Sequence, residues 1–182
     1  MTKMMCSIVG GILLVLLSSC RQNPVTPVPL MGNLIENPTF QVHGQPSLQS
    51  WVYDSSLAKI VQDAPAEDGT WSLELNPGWL PQEGFAQTYV SGQLGEGVYQ
   101  LTVWMKSVDK WKGSVSLGRW SDNQWLSRKS VSSDSTQWSS VSIIDTISLS
   151  ADDTIAVHLS AGATEVAYGD VLFDDIALVR LK

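Results

Sequence analysis

Hydrophobic and polar residues alternate along much of the chain after residue 33, as they do in half-buried β-strands. In residues 98–105 one face carries apolar side chains and the other carries Gln100, Thr102 and Trp104. Similar runs cover residues 71–75, 113–118, 141–149, 154–160 and 171–181. Turn-forming Gly, Pro, Asn and Asp residues separate these runs, and no long stretch keeps the 3.6-residue period of a helix. The pattern predicts an all-β fold, an antiparallel β-sandwich of the jelly-roll type.

The N-terminus has the pattern of an export signal. Lys3 precedes an apolar stretch over residues 8–17, which is too short to cross a bilayer as a helix. We therefore predict a signal peptide over residues 1–19. The tetrapeptide from Leu17 to Cys20 resembles the lipobox of bacterial lipoproteins, which implies cleavage before Cys20 and lipidation of its thiol. An ordinary signal peptide cut nearby, or an uncleaved anchor, is the alternative.

A proline-rich segment follows Cys20. Residues 20–32 contain Pro24, Pro27 and Pro29 without an amphipathic period, which predicts an extended tether. The remaining residues, 33–182, are long enough for one jelly-roll domain. Arg21 stands where some bacterial lipoproteins carry an Asp that retains them in the inner membrane. We therefore expect a cell-envelope protein, anchored by its lipid to the outer membrane or displayed on the cell surface.

The net charge and the aromatic content of the chain indicate which classes of partner it can bind. The chain has 11 Lys and Arg residues against 18 Asp and Glu residues, and its net charge of −7 would repel a nucleic acid. It also has eight Trp residues but only four Tyr and three Phe residues. Because an indole offers a flat amphipathic surface, this excess indicates contact with a ligand or partner.

Three segments resemble a known family. Residues 33–41, 67–73 and 171–178, in that order and spacing, are similar to segments of carbohydrate-binding modules with the galactose-binding-like jelly-roll fold. The resemblance is nearest to families four, nine and twenty-two, and with other matching segments it spans nearly all of residues 33–182. It implies a glycan partner, although the fold alone also hosts adhesion and scaffold roles.

The same resemblance implies a structural calcium ion. Its ligands would be oxygen atoms of five residues: Thr39, Gln41, Asp68, Trp71 and Asp174. Calcium prefers six to eight oxygen ligands, so this set completed by water is chemically adequate. Gln41 replaces the family's usual Glu, and the lost charge would weaken the site. Alternatively, Asp68 forms a turn and Asp174 pairs with a backbone amide.

Strand phase separates candidate binding aromatics from core aromatics. Trp104 and Trp120 lie on the polar faces of their predicted strands, whereas Trp79, Trp125 and Phe85 lie where a ring could overhang a cleft. We predict that these five rings stack against sugar rings on a concave sheet. Hydrogen-bonding candidates beside them are Gln87, Glu74, Asn76, Arg119 and Gln124. The phase or position of three others predicts core packing: Trp51, Trp71 and Trp138.

No catalytic motif accompanies these residues. The sequence has no nucleophile elbow, no phosphate-binding Gly-rich loop and no motif that implies paired carboxylates. His43 and His158 are expected to be ordinary surface or strand residues. We therefore predict a non-enzymatic, lipid-anchored module that binds glycan through tryptophan. The alternative is a structural or adhesive lipoprotein whose same face binds a protein partner.

Overall fold

The computed structural model describes residues 32–65, 69–77, 83–90, 94–109, 111–162 and 169–182. The predicted signal peptide, Cys20 and all but the last residue of the predicted tether lie outside these residues. So do two candidate site residues, Asp68 and Trp79. Within the described part of the chain, no helix is long and apolar enough to cross a membrane.

Two antiparallel sheets of five strands form the molecule, so the predicted all-β sandwich is confirmed. The first sheet has the order β10-β7-β12-β5-β4, and the second has the order β3-β6-β11-β8-β9. A short hairpin of β1 and β2 stands apart. The strands are β1 (Gln41–Val42), β2 (Gln45–Pro46), β3 (Val52–Tyr53), β4 (Ala58–Val61), β5 (Ser72–Leu75), β6 (Gly84–Val90), β7 (Gly97–Ser107), β8 (Gly113–Ser121), β9 (Gln124–Ser133), β10 (Ser139–Ile147), β11 (Thr154–Ala161) and β12 (Val171–Arg180).

Side chains that alternate along the strands fill the space between the sheets. On β7 the predicted apolar face is buried, and Trp104 points to the outer face of the first sheet. On β11 the residues Ile155, Val157 and Leu159 are fully buried, and His158 lies on the opposite, outer face of the second sheet. The hydrophobic core therefore lies between β7 and β12 of the first sheet and β8 and β11 of the second.

A tight hairpin joins β8 to β9. Its two loop residues, Asp122 and Asn123, have φ angles of 50° and 59°. Asn and Asp tolerate this left-handed conformation, which a two-residue hairpin with the twist of the flanking strands requires. Trp120 therefore faces Trp125 directly across the pair. One step further, the register shifts, and Leu126 is left without an opposite residue.

The start of the domain is bound to the centre of the first sheet. The Asn33 side-chain amide donates a hydrogen bond to the Ile176 carbonyl at 2.8 Å. The Leu34 backbone amide donates to the Leu178 carbonyl at 2.8 Å. Both acceptors belong to β12, which is hydrogen-bonded to β7 on one side and to β5 on the other.

Candidate functional site

A groove of about 560 Å³ lies on the outer face of the second sheet. This volume is within the range of sites that bind small molecules. Its walls are mostly aromatic and its base is polar. The lining residues are Val52, Glu83, Phe85, Gln87, Tyr89, Trp120, Asn123, Gln124, Trp125, Arg128 and His158.

Small residues on the central strands make room for this groove. Across the sheet, His158 on β11 lies opposite Gln87 on β6 and opposite Ser116 on β8. In the next outward-facing row, Ala156 lies opposite Gly118. A Cβ atom at Gly118 would overlap the Ser127 carbonyl oxygen of β9. Glycine at this position therefore lets β9 approach β8 closely and keeps the floor low.

Four aromatic rings surround that floor. The indoles of Trp120 and Trp125 are perpendicular, with ring centroids 5.3 Å apart. Tyr89 packs against Trp120 at 5.8 Å, and Phe85 is stacked on the His158 ring at 5.7 Å with an interplanar angle of 11°. Perpendicular neighbouring planes form a corner, so one flat ligand ring can rest on one indole and touch the edge of the other.

Trp125 has a charged neighbour on its other side. The guanidinium carbon of Arg128 lies 5.6 Å from the Trp125 ring centroid, a distance typical of a cation–π contact. Strict alternation along β9 would put residues 125 and 128 on opposite faces. The bulge at Leu126 brings both to the groove.

A short chain of polar groups crosses the base of the groove. His158 Nδ1 is 3.1 Å from Gln87 Oε1, and His158 Nε2 is 3.3 Å from Glu83 Oε1. Gln87 is only 6% exposed. Its Nε2 atom is buried and has no hydrogen-bond partner in the described part of the protein. This nitrogen is therefore an unsatisfied buried donor among the described residues at the base of the groove.

The hydrogen bond from His158 lowers the pKa of Glu83 below its ordinary value. Burial opposes this shift, and the Ser160 hydroxyl and the positive charge of Arg128 support it. Burial alone raises the pKa of the Tyr89 phenol. At neutral pH the groove therefore contains an ionised carboxylate and a neutral phenol.

The structure brings together about half of the predicted binding residues. Four of them line the groove, namely Trp120, Trp125, Phe85 and Gln87, and the candidate Gln124 lines it as well. Sequence reasoning missed Glu83, Tyr89, Arg128 and His158. The phase of His158 was a usable signal, because it shares its outer face on β11 with Ala156 and Ser160 between buried apolar residues.

Three other predicted residues lie elsewhere, so their assignment to the same face is wrong. Trp104 on β7 and Glu74 on β5 belong to the first sheet, on the opposite side of the sandwich. Glu74 forms an ion pair with Lys59 at 2.6 Å. Arg119 has the inward phase of β8, and at the end of the strand it donates to the Ser148 carbonyl at 3.1 Å and lies 3.6 Å from Asp153.

The predicted core tryptophans are divided. Trp51 is 5% exposed and packs against Phe40, with ring centroids 5.3 Å apart, as expected. Trp71 and Trp138 are only half-buried and lie outside the core cluster, so the prediction of core packing is wrong for them. The indole of Trp138 donates to Asp63 at 3.1 Å on the outer side of the first sheet.

Two residues of the expected calcium ligand set, Asp174 and Trp71, lie near Gly69. Asp174 is 1% exposed, and its Oδ2 lies 3.0 Å from the point that a Cβ atom at Gly69 would occupy. The Trp71 carbonyl oxygen lies 3.8 Å from the same point. The segment with Thr39 and Gln41 reaches this end of β12, since the Ile176 amide donates to the Pro38 carbonyl at 3.0 Å.

A buried carboxylate and a backbone carbonyl oxygen are ligands that calcium accepts, so Asp174 and Trp71 are chemically suitable for the expected site. Within the described ranges, no cluster of three or more His, Cys, Asp or Glu side chains could hold a metal ion. A calcium site here would therefore depend on backbone oxygens and on Asp68, which lies outside those ranges.

No known family profile matches the sequence, and no curated protein matches it either. Solved structures do match. The family 61 carbohydrate-binding module TmCBM61, solved with β-1,4-galactotriose, has 20% identity and a TM-score of 0.53, with 81% of this chain and 98% of that chain covered. A family 16 carbohydrate-binding module has 21% identity and a TM-score of 0.58, with 81% and 99% covered.

A third match is the xylan-binding family 22 module of Xyn10C from Paenibacillus barcinonensis. It has 13% identity and a TM-score of 0.53, with 86% of this chain and 96% of that chain covered. Each of these modules is matched over almost its whole length, so the likeness concerns a complete domain. The chain therefore has the jelly-roll β-sandwich fold of carbohydrate-binding modules.

Proposed function

We propose that the groove on the second sheet binds a glycan chain and that the protein performs no chemistry on it. The observation that carries this proposal is the corner formed by the Trp120 and Trp125 indoles beside the polar base of the groove. A pyranose ring has an apolar face of C–H bonds and a rim of hydroxyl groups. It therefore needs both an aromatic plane and nearby polar groups.

The aromatic contacts are strong enough for reversible binding. One sugar ring that stacks on an indole removes roughly 100 Å² of apolar surface from water, which contributes about 2.5 kcal/mol before ordering costs. Two such contacts and a few hydrogen bonds correspond to a dissociation constant of about micromolar to millimolar. This range is adequate for a module that holds a polymer at several positions at once.

The acidic groups of the groove support binding rather than hydrolysis. Glycoside hydrolysis ordinarily uses two carboxyl groups at a fixed separation, one of them with a raised pKa. Among the described residues that line the groove, Glu83 is the only carboxylate. Its pKa is lowered by His158, which is the wrong direction for a general acid.

We further propose that the mature protein is a lipoprotein of the cell envelope, anchored through Cys20. This proposal rests on the residues from Leu17 to Cys20 and on the apolar stretch before them. The expected Cys20→Ser phenotype is loss of lipid label and release of the unprocessed or soluble protein from membranes. Labelling with an alkyne fatty acid, followed by fractionation, measures both. An unchanged label in the variant would refute the assignment of Cys20.

Binding is tested with the domain of residues 33–182 and a panel of soluble glycans. The panel contains β-1,4-galactotriose, xylohexaose, cellohexaose and the corresponding polymers. Because two indoles line the groove, a bound sugar should quench or shift the intrinsic tryptophan emission, and calorimetry gives the affinity. No response to any panel member would contradict the proposal and favour a protein partner for this face.

A further inference from the structure

The basic side chains of the sandwich differ in how they are partnered. Four of them lie within 3.6 Å of a carboxylate, in the pairs Lys59–Glu74, Lys106–Asp63, Arg119–Asp153 and Lys129–Asp145. Arg180 donates to the backbone carbonyls of Glu96 and Lys182. Arg128 is exposed and has neither an ion pair nor a hydrogen bond within the described part of the chain. It is the only Lys or Arg side chain on the described strands in this situation.

The acidic residue of the groove does not neutralise this charge. Glu83 Oε1 lies 3.3 Å from His158 Nε2, and the Glu83 carboxylate also accepts a hydrogen bond from Ser160. Arg128 acts on Glu83 through its charge alone, which helps to keep the pKa of Glu83 below its ordinary value. The described residues that line the groove include no other carboxylate. The groove therefore contains a guanidinium that has no counterion among them.

Neighbouring residues hold the guanidinium beside the aromatic corner and leave it open. Its Cζ atom lies 5.6 Å from the Trp125 ring centroid, and the same indole meets Trp120 with centroids 5.3 Å apart. Directly opposite Arg128 on β8 is Gly118, and opposite Gly118 on β11 is Ala156. Neither residue has a side chain long enough to cover the guanidinium. A sugar ring in the corner would therefore have the Arg128 N–H groups beside its rim.

We propose that the groove selects glycans that carry carboxylate groups, such as uronic acids, and that Arg128 is the residue that determines this specificity. This inference rests on the proposed glycan-binding function and names its ligand class. A guanidinium presents its N–H donors in a planar fork that matches both oxygens of a carboxylate. The hydroxymethyl group of the corresponding neutral sugar has one oxygen atom and no charge. A hexuronate therefore gains two charge-assisted hydrogen bonds that a neutral hexose lacks.

The charge of the rest of the protein makes this contact a local one. The chain has a net charge of −7, so its long-range field repels an acidic polymer. A preference for carboxylates must then come from a positive group in the groove that is free to bind. His158 is already engaged with Glu83 and Gln87, which leaves Arg128. Because Arg128 is exposed, added salt should weaken its contact with a carboxylate.

The experiment is calorimetry at neutral pH with two pairs of ligands, and the members of each pair differ in charge but share their backbone. One pair is trigalacturonate and its methyl ester, and the other is a xylo-oligosaccharide with and without a glucuronic acid branch. The wild-type domain should bind the acidic member of at least one pair about tenfold more tightly than the neutral member. Raising the salt concentration from about 0.02 M to about 0.5 M should reduce this ratio of affinities. Arg128→Gln should bring the ratio to about one, whereas Arg128→Lys, which keeps the charge without the planar fork, should retain part of it.

Lys129→Gln is the matched control. It removes the same charge from the next residue of β9, whose side chain donates to the Ile144 carbonyl at 2.8 Å on the other face of the strand. This variant should keep the wild-type ratio, and thermal unfolding confirms that each variant is folded. If no member of either pair and no neutral glycan binds the wild-type domain, the glycan function itself has failed. If glycans bind without preference for the acidic member, or Arg128→Gln keeps the wild-type ratio, only the present proposal is overturned.

Discussion

Replacing Trp120 by alanine is the sharpest test of where the ligand binds. Trp120 lines the groove, whereas Trp104 lies on the outer face of the opposite sheet. The variants Trp120→Ala and Trp104→Ala therefore remove the same side chain from two sides of one sandwich. If a sugar stacks on Trp120, only the first variant loses binding.

The size of the effect follows from the contacts. Loss of one stacked ring removes about 2.5 kcal/mol of favourable free energy, which is about 70-fold in the dissociation constant. Trp120 also contacts Trp125 and Tyr89. Each aromatic pair contributes about 0.5 to 1.5 kcal/mol, so the free energy of unfolding should fall by about 1 to 3 kcal/mol. A domain of this size should tolerate that loss at room temperature.

Isothermal titration calorimetry is the suitable assay, because the substitution itself changes the tryptophan emission. Thermal unfolding of both variants separates lost affinity from lost structure. The reasoning is refuted if Trp104→Ala weakens binding as much as Trp120→Ala does, or if Trp120→Ala binds with wild-type affinity while remaining folded. The first result would move the site to the other sheet.

Three further predictions concern stability. Calcium should raise the midpoint of thermal unfolding and a chelator should lower it. Asp174→Asn should reduce the difference between these two midpoints. Identical midpoints of the wild type in both conditions would exclude the ion. The pKa of Asp63 is lowered from 3.8, because hydrogen bonds from Lys106 and Trp138 outweigh the effect of burial. The ionised Asp63 therefore contributes stability above pH 3.8, and this contribution is lost as pH falls through the lower pKa of the folded state. Denaturant titrations should show that the free energy of unfolding of Asp63→Asn falls less steeply with acid than that of the wild type. Gly169→Ala should destabilise the domain by more than about 1 kcal/mol, since the added methyl group would overlap the Trp111 indole; a wild-type melting curve would show that the indole moves aside.

Local patterns were sufficient for six strands, β5, β7, β8, β10, β11 and β12, and for one hairpin, but not for β1 to β4, β6 and β9. Alternation on β7 and β11 identified the buried faces, and the pair Asp122 and Asn123 marked the turn that sets Trp120 opposite Trp125. These features depend on neighbouring residues, which the sequence displays directly.

The position of the site depended on long-range pairing, which the sequence does not display. Trp104 and Trp120 have the same local phase. However, β7 pairs with β12 and β8 pairs with β11, so the two tryptophans lie on different sheets. Strand alternation could not predict that Arg128 faces the groove, because a bulge in β9 breaks the two-residue period. His158 belongs to the chain of polar groups in the groove because Glu83, 75 positions away in the sequence, lies 3.3 Å from its ring.

The attachment of Asn33 and Leu34 to β12 has a mechanical consequence under the proposed lipid anchor. Tension from the membrane would enter the first sheet at residues 33 and 34, while a captured polysaccharide would pull on the opposite sheet. The bonds of these two residues to β12 would therefore bear the load before any strand of either sheet has to move. Anchor and ligand would thus load opposite sheets, and the hydrophobic core between the sheets would transmit the force.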